Sequence, residues 1–161
     1  MSLSKNDILR SQKGAELRGT IYVPGDKSIS HRSLIFGSLA IGSSRISGLL
    51  ESADVLATKN ALIALGVEII KTQNGDWQVN GVGLNGMVSP LKPLDLGNSG
   101  TGVRLLMGVV AGQDITATFT GDASLSTRPM ARITDPLSTM GANISTRDGQ
   151  LPVTIKGCLL Y

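Results

Sequence analysis

The chain has 161 residues, of which 41% are hydrophobic and 3% aromatic, and its 15 lysines and arginines exceed its 12 aspartates and glutamates by a net charge of +3. This length and composition suit one folded globular region and exclude a chain that is disordered throughout. The charge is mild, basic residues form no run, and few aromatic side chains are present to stack on bases, so nucleic acid is excluded as the expected partner.

The single cysteine and single histidine narrow the chemistry further. One cysteine forms no internal disulfide, and one histidine with one cysteine leaves no expectation of a zinc site or any other metal site. The sequence has no apolar run near the ~20 residues of a membrane span. We therefore expect a reduced, soluble, cytoplasmic protein that does not contact a membrane.

The two ends of the chain differ in character. Residues 1–16 are polar and lack an apolar stretch followed by a cleavage site, so we interpret them as a lead-in and not as a secretory signal. The last residues, CLLY, follow a strand-like segment without a polar tail. We expect residues 17–161 to be part of a larger domain, and the chain to be truncated.

Two stretches of the sequence resemble each other, ALIALGVEIIKTQNGDWQVNGVG at 61–83 and PLSTMGANISTRDGQLPVTIKG at 136–157. Matching glycines and apolar residues recur at a spacing of about 74 residues, and Arg104 follows Arg32 at nearly the same spacing. We predict two copies of one unit, at residues 17–83 and 92–157.

In the first copy, apolar periodicity and turn residues predict the order βαβαββ. Ser52 is placed to cap the second helix and Gly66 to end it, while Asn74 and Gly75 form the turn of a hairpin. The predicted elements are a strand at 19–25, a helix at 28–42 closed by Gly42, a strand at 44–50, a helix at 52–66, and paired strands at 67–72 and 76–81.

The second copy repeats this pattern, with Asp148 and Gly149 at the turn of the last hairpin. Pro136 falls inside the second helical pattern, so that helix is kinked there or begins later. The predicted elements are strands at 93–98 and 115–121, helices at 101–112 and 128–141, and paired strands at 142–147 and 151–157. Both copies predict an α/β fold.

Residues 23–33, VPGDKSISHRS, place a strand end before a helix start. Unpaired N–H groups and the positive end of the helix dipole there favour an anion. Lys27 supplies an ammonium group, Ser28 and Ser30 supply hydroxyls, and Arg32 lies about one turn further on. The alternative is an ordinary capped helix with solvated cations, because the full P-loop pattern is absent.

Two further stretches favour the anion site. Residues 96–104, LGNSGTGVR, again run through glycines and hydroxyls into a helix, with Arg104 one turn in. In residues 121–130, GDASLSTRPM, Arg128 precedes Pro129, which we predict at the first helical position. A surface arginine is the alternative for Arg128.

The remaining reactive side chains are assigned no catalytic role. His31 has no carboxylate or cysteine at motif spacing to orient it, which favours a structural role. Asp54 is placed to pair with a nearby lysine or to cap the second helix, and Cys158 has no histidine partner placed by a motif.

Five motifs, in order from Leu17 to Gly157, resemble the N-terminal part of the EPSP synthase (3-phosphoshikimate 1-carboxyvinyltransferase) family of enolpyruvyl transferases. SISHRS and GDASL are typical of one bacterial subgroup, and another subgroup has Asn at the position of His31. The sibling family that acts on UDP-N-acetylglucosamine usually has Lys-Asn where this chain has Lys27 and Ser28. The motifs are VPGDKSISHRSLIFGSLAIG, GLLESADVLAT, LDLGNSGTGVRLLMG, GDASLSTRPM and LPVTIKG.

The resemblance implies an inside-out α/β barrel type of fold, with two domains of three βαβαββ units each, two of which would lie in this chain. It also implies a reaction that needs no cofactor. The 5-hydroxyl of shikimate 3-phosphate attacks C2 of phosphoenolpyruvate as C3 is protonated, and the tetrahedral adduct then loses phosphate.

By the same resemblance, Lys27, Ser28 and Arg32 would bind shikimate 3-phosphate. Lys27, Gly100 and Arg128 would bind phosphoenolpyruvate. Asn98, Thr101 and Arg104 fall in the same motif and are supporting candidates. The family's catalytic acid and base have no match among these residues, so we expect the 161 residues to be inactive alone and to need the remainder of the enzyme.

Two other hypotheses stay open at this point. The chain would be a noncatalytic module that binds phosphate or associates with itself, or a member of the sibling family. A separate hypothesis concerns Gly100: if its lack of a side chain lets an anion lie against the helix start, glyphosate, which competes with phosphoenolpyruvate in the resembled family, would also fit.

Overall fold

The computed structural model describes residues 10–14 and 16–158 of the chain. Most of the predicted lead-in, residues 1–16, lies outside the described residues, as do the last three residues, 159–161. The described residues form two sheets with helices packed between and beside them.

The first sheet has three strands in the order β1-β3-β2, with both pairs antiparallel. Ile46 lies opposite Trp77 and Ile69 opposite Val79, and the side chains of Trp77, Ile69 and Val79 are buried in the core. The elements of this unit are α1 (Lys27–Leu39), β1 (Ile41–Ile46), α2 (Ala53–Ala64), β2 (Glu68–Lys71) and β3 (Trp77–Val82).

The second sheet has four strands in the order β4-β5-β7-β6. The pair β4 and β5 is parallel, with Leu94 opposite Phe119, and the other two pairs are antiparallel. The elements of this unit are β4 (Leu94–Asp95), α3 (Gly100–Ala111), β5 (Thr116–Thr120), α4 (Ala123–Ser126), α5 (Ala131–Thr139), β6 (Asn143–Arg147) and β7 (Gln150–Lys156).

The strand predicted at 19–25 is not formed in the described structure. Ile21, Tyr22 and Val23 in this stretch are 84%, 97% and 77% exposed. In the second unit the corresponding strand, β4, pairs with β5, whereas in the first unit β1 pairs with β3 alone. A strand needs a partner for its backbone groups, and among the described residues this stretch has none.

Local sequence signals, such as capping and turn residues, set most of the other boundaries of helices and strands. The Ser52 hydroxyl accepts the N–H of Val55 and starts α2, and the hairpin turn at Asp148 and Gly149 has positive φ at both residues, 54° and 68°. The prediction that Gly42 closes α1 is wrong, because the helix ends at Leu39 and Gly42 lies within β1 with φ 96°.

The prediction that Pro129 stands at the first helical position is also wrong. The helix after it, α5, begins at Ala131 and includes Pro136, so it begins later than predicted. The short helix α4 comes first, with the Asp122 carboxylate accepting the N–H of Leu125 at 2.7 Å. Arg128 therefore lies in the short connection between α4 and α5.

One apolar cluster joins the two units. It holds few aromatic side chains, as the composition predicts, with Phe119 and Trp77 among mainly aliphatic neighbours. Within residues 10–14 and 16–158, no helix is both long and apolar enough to cross a bilayer. The fully buried members of the cluster include Leu34, Val55, Leu62, Val79, Val103, Leu106, Met107, Phe119, Val153 and Ile155.

Candidate anion-binding site

The start of α1 carries a capped helix end and a paired lysine. The Asp26 carboxylate accepts the N–H of Ile29 at 2.8 Å and is the N-cap. Lys27, the first helical residue, donates from Nζ to Asp54 Oδ2 at 2.9 Å, and its side chain is 51% exposed. An ion pair this exposed is worth about 0–1 kcal/mol, so Lys27 is free to exchange its partner for a bound anion.

One turn further on, Arg32 folds back over the helix start. Its Nη1 donates to the backbone oxygen of Ser28 at 3.1 Å, and both residues are exposed. Ser30 differs from the prediction, because its buried hydroxyl donates to Asp26 O at 2.7 Å and accepts the N–H of Leu50 at 3.0 Å. Ser30 therefore fixes the helix start and offers no hydroxyl to a ligand.

The start of α3 repeats this geometry with a neutral cap. The Ser99 hydroxyl accepts the N–H of Gly102 at 3.1 Å. Arg104 donates from Nη1 to Gly100 O at 3.0 Å, as Arg32 does four residues back in α1, and from Nη2 to Pro129 O at 3.1 Å. Arg104 is thus held by backbone oxygens, which leave its positive charge unneutralised.

A second guanidinium lies beside it. Arg128 donates from Nη2 to Asn98 Oδ1 at 2.5 Å and to Ser124 Oγ at 3.4 Å. A Cβ at Gly100 would lie 2.8 Å from Arg128 Nη1 and 3.0 Å from Arg104 Nη1. Among the described residues neither arginine pairs with a carboxylate, so two like charges converge on one helix N-terminus.

A cavity of about 460 Å³ opens at these side chains. A third cation, Arg132 in the first turn of α5, also lines it. Three guanidinium groups around one opening, without a paired carboxylate in the described part of the chain, match the chemistry of phosphate and carboxylate ligands.

The His31 side chain lies in the core between the first turns of α1 and α3. It is fully buried, its Nδ1 lies 2.8 Å from Thr58 Oγ1, and its Cε1 lies 3.4 Å from the Cβ position of Gly102 in α3. Burial lowers the pKa of His31, more than the carboxylate of Asp54 raises it. A neutral ring packed against α2 and α3 is a structural spacer, and it brings the first turns of α1 and α3 together.

The structure thus gathers the candidates into two adjoining groups. Lys27, Ser28 and Arg32 stand at the start of α1, and Asn98, Gly100, Arg104 and Arg128 at the start of α3, where Thr101 is exposed in the first turn. Which substrate each residue contacts stays a prediction.

Sequence reasoning missed three residues of this site: Asp122, Ser124 and Arg132. A signal existed for the first, because an aspartate three residues before Leu125 is a typical N-cap pattern. Ser124 lies within GDASLSTRPM without a signal of its own, and Arg132 lies outside the five motifs, so only the folded chain brings them to Arg128 and its cavity.

Comparisons with known proteins show the family and the fold of the chain. A sequence model of the family described as EPSP synthase (3-phosphoshikimate 1-carboxyvinyltransferase) matches residues 11–160. The 3-phosphoshikimate 1-carboxyvinyltransferases of Jannaschia sp. (strain CCS1) and Rhodopseudomonas palustris (strain BisB5) are 55% and 58% identical over 92% of this chain. A solved EPSP synthase from Acinetobacter baumannii is 48% identical, with a TM-score of 0.81 over 86% of this chain.

The chain spans about a third of the length of these relatives: 33% and 34% of the two sequences, and 32% of the solved structure. The match nevertheless runs through both repeated units and both helix starts. By sequence and by fold, the chain belongs to the EPSP synthase family.

Proposed function

We propose that the protein containing this chain transfers the enolpyruvyl group of phosphoenolpyruvate to the 5-hydroxyl of shikimate 3-phosphate. The hydroxyl oxygen loses its proton and bonds to C2 as C3 gains a proton. The adduct then loses a proton from C3 and breaks its C–O bond to phosphate, which restores the double bond and releases inorganic phosphate. The observation that carries the proposal is the convergence of Arg104 and Arg128 on Gly100, in a chain that matches this family throughout.

The charges of the substrates explain why such a site needs several cations. Each phosphate carries roughly −1.5 to −2 near neutral pH, and each substrate adds a carboxylate. Lys27, Ser28 and Arg32 would hold shikimate 3-phosphate, and Lys27, Gly100 and Arg128 phosphoenolpyruvate, with Asn98, Thr101 and Arg104 in support. Holding two anions that repel each other in one site turns their encounter into a reaction within one complex.

The chain supplies binding groups, and the proton chemistry would come from elsewhere in the protein. His31 has no exposed surface. Asp54 is engaged with Lys27, and Asp122 with Asn98 and a helix N-terminus. We therefore propose that the 161 residues alone do not turn over, and that the complete enzyme acts in the cytoplasm on these two small molecules.

Release of inorganic phosphate tests the proposal. The chain alone should release none with both substrates present. The same chain joined to the C-terminal two thirds of the Jannaschia relative should release phosphate only when both substrates are present, and Arg128→Ala in that fusion should suppress the release. A fusion that folds, judged by its unfolding transition, yet releases no phosphate would contradict the proposal.

A second candidate role is self-association of the chain. A groove of about 620 Å³ between α1 and α3 is lined mainly by apolar side chains, among them Phe36, which is 66% exposed. Exposed apolar grooves of this kind favour association. Sedimentation should show species larger than one chain that Phe36→Ser reduces; a single small species at all concentrations would contradict this role.

Gly100 supports a finer proposal about inhibition. A side chain there meets the two guanidinium groups that would hold phosphoenolpyruvate. Glyphosate is an anion of similar charge, so we propose that it binds at the same place and that Gly100→Ala in the fusion weakens both ligands. Inhibition unchanged by Gly100→Ala would argue against this proposal.

A further inference from the structure

Three polar side chains form a hydrogen-bonded series from α4 to the anion site. Asp122 accepts the N–H of Leu125 on Oδ1 at 2.7 Å and the Nδ2 of Asn98 on Oδ2 at 2.8 Å. Asn98 in turn accepts Nη2 of Arg128 on Oδ1. Both oxygens of the Asp122 carboxylate are thus engaged, one in capping a helix and one in holding an amide.

The hydrogen-bonding chemistry of Asp122 and Arg128 fixes the orientation of the Asn98 amide between them. An ionised carboxylate only accepts hydrogen bonds and a guanidinium group only donates them. The Asn98 side chain satisfies both neighbours in one orientation alone, with its nitrogen toward Asp122 and its oxygen toward Arg128. The alternative orientation would place NH₂ against the guanidinium and an oxygen against the carboxylate.

The intervening amide also preserves the charge of Arg128. A carboxylate bonded directly to Arg128 would neutralise it, as Asp54 does for Lys27. The amide offers an acceptor without a net charge, so Arg128 is held and stays available to an anion. Arg104 nearby repels Arg128, and the hydrogen bond from Nη2 of Arg128 to Asn98 holds the guanidinium against this repulsion.

We propose that Asp122 is a positioning residue for Arg128: it orients the Asn98 amide, which holds the guanidinium toward the opening at Gly100. The hydrogen bond from Asn98 lowers the pKa of Asp122, with a further contribution from the N–H of Leu125, so the carboxylate is ionised at neutral pH. That the anion is phosphoenolpyruvate rests on the proposed function.

Asp122→Asn tests the proposal in the 161-residue chain. Asparagine caps helices about as well as aspartate, so α4 should keep its cap. The new side-chain NH₂ at position 122 would then face Asn98. The Asn98 amide would rotate, so that its oxygen accepts from position 122 and its NH₂ faces Arg128. We expect shifted NMR signals from the Asn98 amide and the Arg128 guanidinium, and about tenfold weaker binding of phosphoenolpyruvate.

Matched variants separate this effect from a general loss of charge or stability. Asp114→Asn removes the same charge from an exposed loop position and should leave the signals and the binding unchanged. Asp122→Ser keeps a capping hydroxyl but removes the acceptor, and should also release Asn98. In Asp122→Asn with Asn98→Asp, the carboxylate at position 98 would accept from both neighbours and hold Arg128 again, but in a direct ion pair that neutralises it. Its Arg128 signals should therefore differ from those of Asp122→Asn alone, and its binding of phosphoenolpyruvate should stay weak.

The outcomes distinguish this proposal from the proposed function. If Asp122→Asn and Asp122→Ser move the Asn98 and Arg128 signals no more than Asp114→Asn does, the proposal is overturned. If both Asp122 variants move these signals, while the unmodified chain binds no phosphoenolpyruvate, the positioning role stands and the assigned ligand is wrong.

Discussion

The starts of α1 and α3 share a backbone geometry and differ in how their charges are balanced. In each, an arginine one turn in donates back to a main-chain oxygen, at 3.1 Å for Arg32 and 3.0 Å for Arg104. At α1 the cap is a carboxylate, Asp26, and the leading cation Lys27 already has a carboxylate partner. At α3 the cap is neutral, and among the described residues the arginines have backbone, amide and hydroxyl partners only.

This difference shows how one repeated unit comes to serve two tasks. At the α3 start the cations are fixed by neutral partners and stay unneutralised, as the proposed binding of an anion there requires. The α1 start holds a mobile cation in an exposed ion pair that is easily exchanged. An anion at α3 would meet a ready site, whereas at α1 it would first separate Lys27 from Asp54.

The largest effect should come from removing the fixed cation at α3. In the fusion, Arg128→Ala should weaken phosphoenolpyruvate binding on the order of 100-fold, because it removes charge-assisted hydrogen bonds in a converging site. Arg128→Lys should recover part of this loss only, since an ammonium group lacks the planar fork. The Michaelis constants for both substrates measure this; equal affinity in Arg128→Lys and the parent would show that charge alone matters.

The next largest effect, on stability, should come from the packing between the first turns of α1 and α3. A Cβ at Gly102 would lie 2.5 Å from Thr58 Oγ1 and 2.6 Å from Ser99 Oγ, in a buried place. The corresponding residue of α1 is Ser30, whose side chain fits. Gly102→Ala should therefore lower the free energy of unfolding by about 1–3 kcal/mol.

Gly108 is the control for this substitution in the same helix. Among the described residues, no atom outside its own stretch of helix lies within 4 Å of its Cβ position. Gly108→Ala should raise the free energy of unfolding by up to about 1 kcal/mol through helix propensity. Urea denaturation measures both values, and similar signs for the two variants would contradict a close approach at Gly102.

The His31 side chain, which lies between α1 and α3, should make the stability of the protein depend on pH. Burial holds its folded-state pKa below the ordinary value of 6.5, and Lys27 and Arg32 act in the same direction against Asp54. Below pH 6.5 the unfolded chain takes up a proton that the folded chain resists, so stability should fall as pH falls, with no contribution above that pH.

The chain has one histidine, so His31→Asn should flatten this slope. Unfolding curves at a series of pH values measure it. An equal slope with and without His31 would mean that the ring is hydrated in the folded state.

The smallest effect should come from freeing the cation at α1. Asp54→Asn removes the partner of Lys27 and should cost less than about 1 kcal/mol of stability, with the difference vanishing at high salt. It should also make the α1 start resemble the α3 start, and tighten the binding of inorganic phosphate there, as followed by NMR titration. Weaker phosphate binding would show that Asp54 holds Lys27 in its binding position.

Sequence predicted the features that local signals specify. The cap at Ser52, the hairpin turns at Asn74-Gly75 and Asp148-Gly149, and the equivalence of Arg32 with Arg104 all appear in the structure. Each depends on a few neighbouring residues, or on an internal comparison of the chain with itself.

Features that depend on distant partners could not be predicted in this way. Residues 19–25 have the pattern of a strand, but pairing decides whether a strand forms. Helix α4, Ala123–Ser126, is too short for periodicity to reveal. The contact of Arg128 with Asn98 joins side chains 30 positions apart, and no motif spacing encodes it.

The end position of β1 in its sheet has a consequence for handling the molecule. Within the described residues β1 is bonded on one side only, to β3, so alternate peptide groups of Ile41–Ile46 face outward. Those amides should exchange with deuterium faster than their neighbours, and the same row of open donors and acceptors is a template on which another extended chain can grow. Because such growth needs a second chain, the protein concentration should govern how long a preparation stays dispersed.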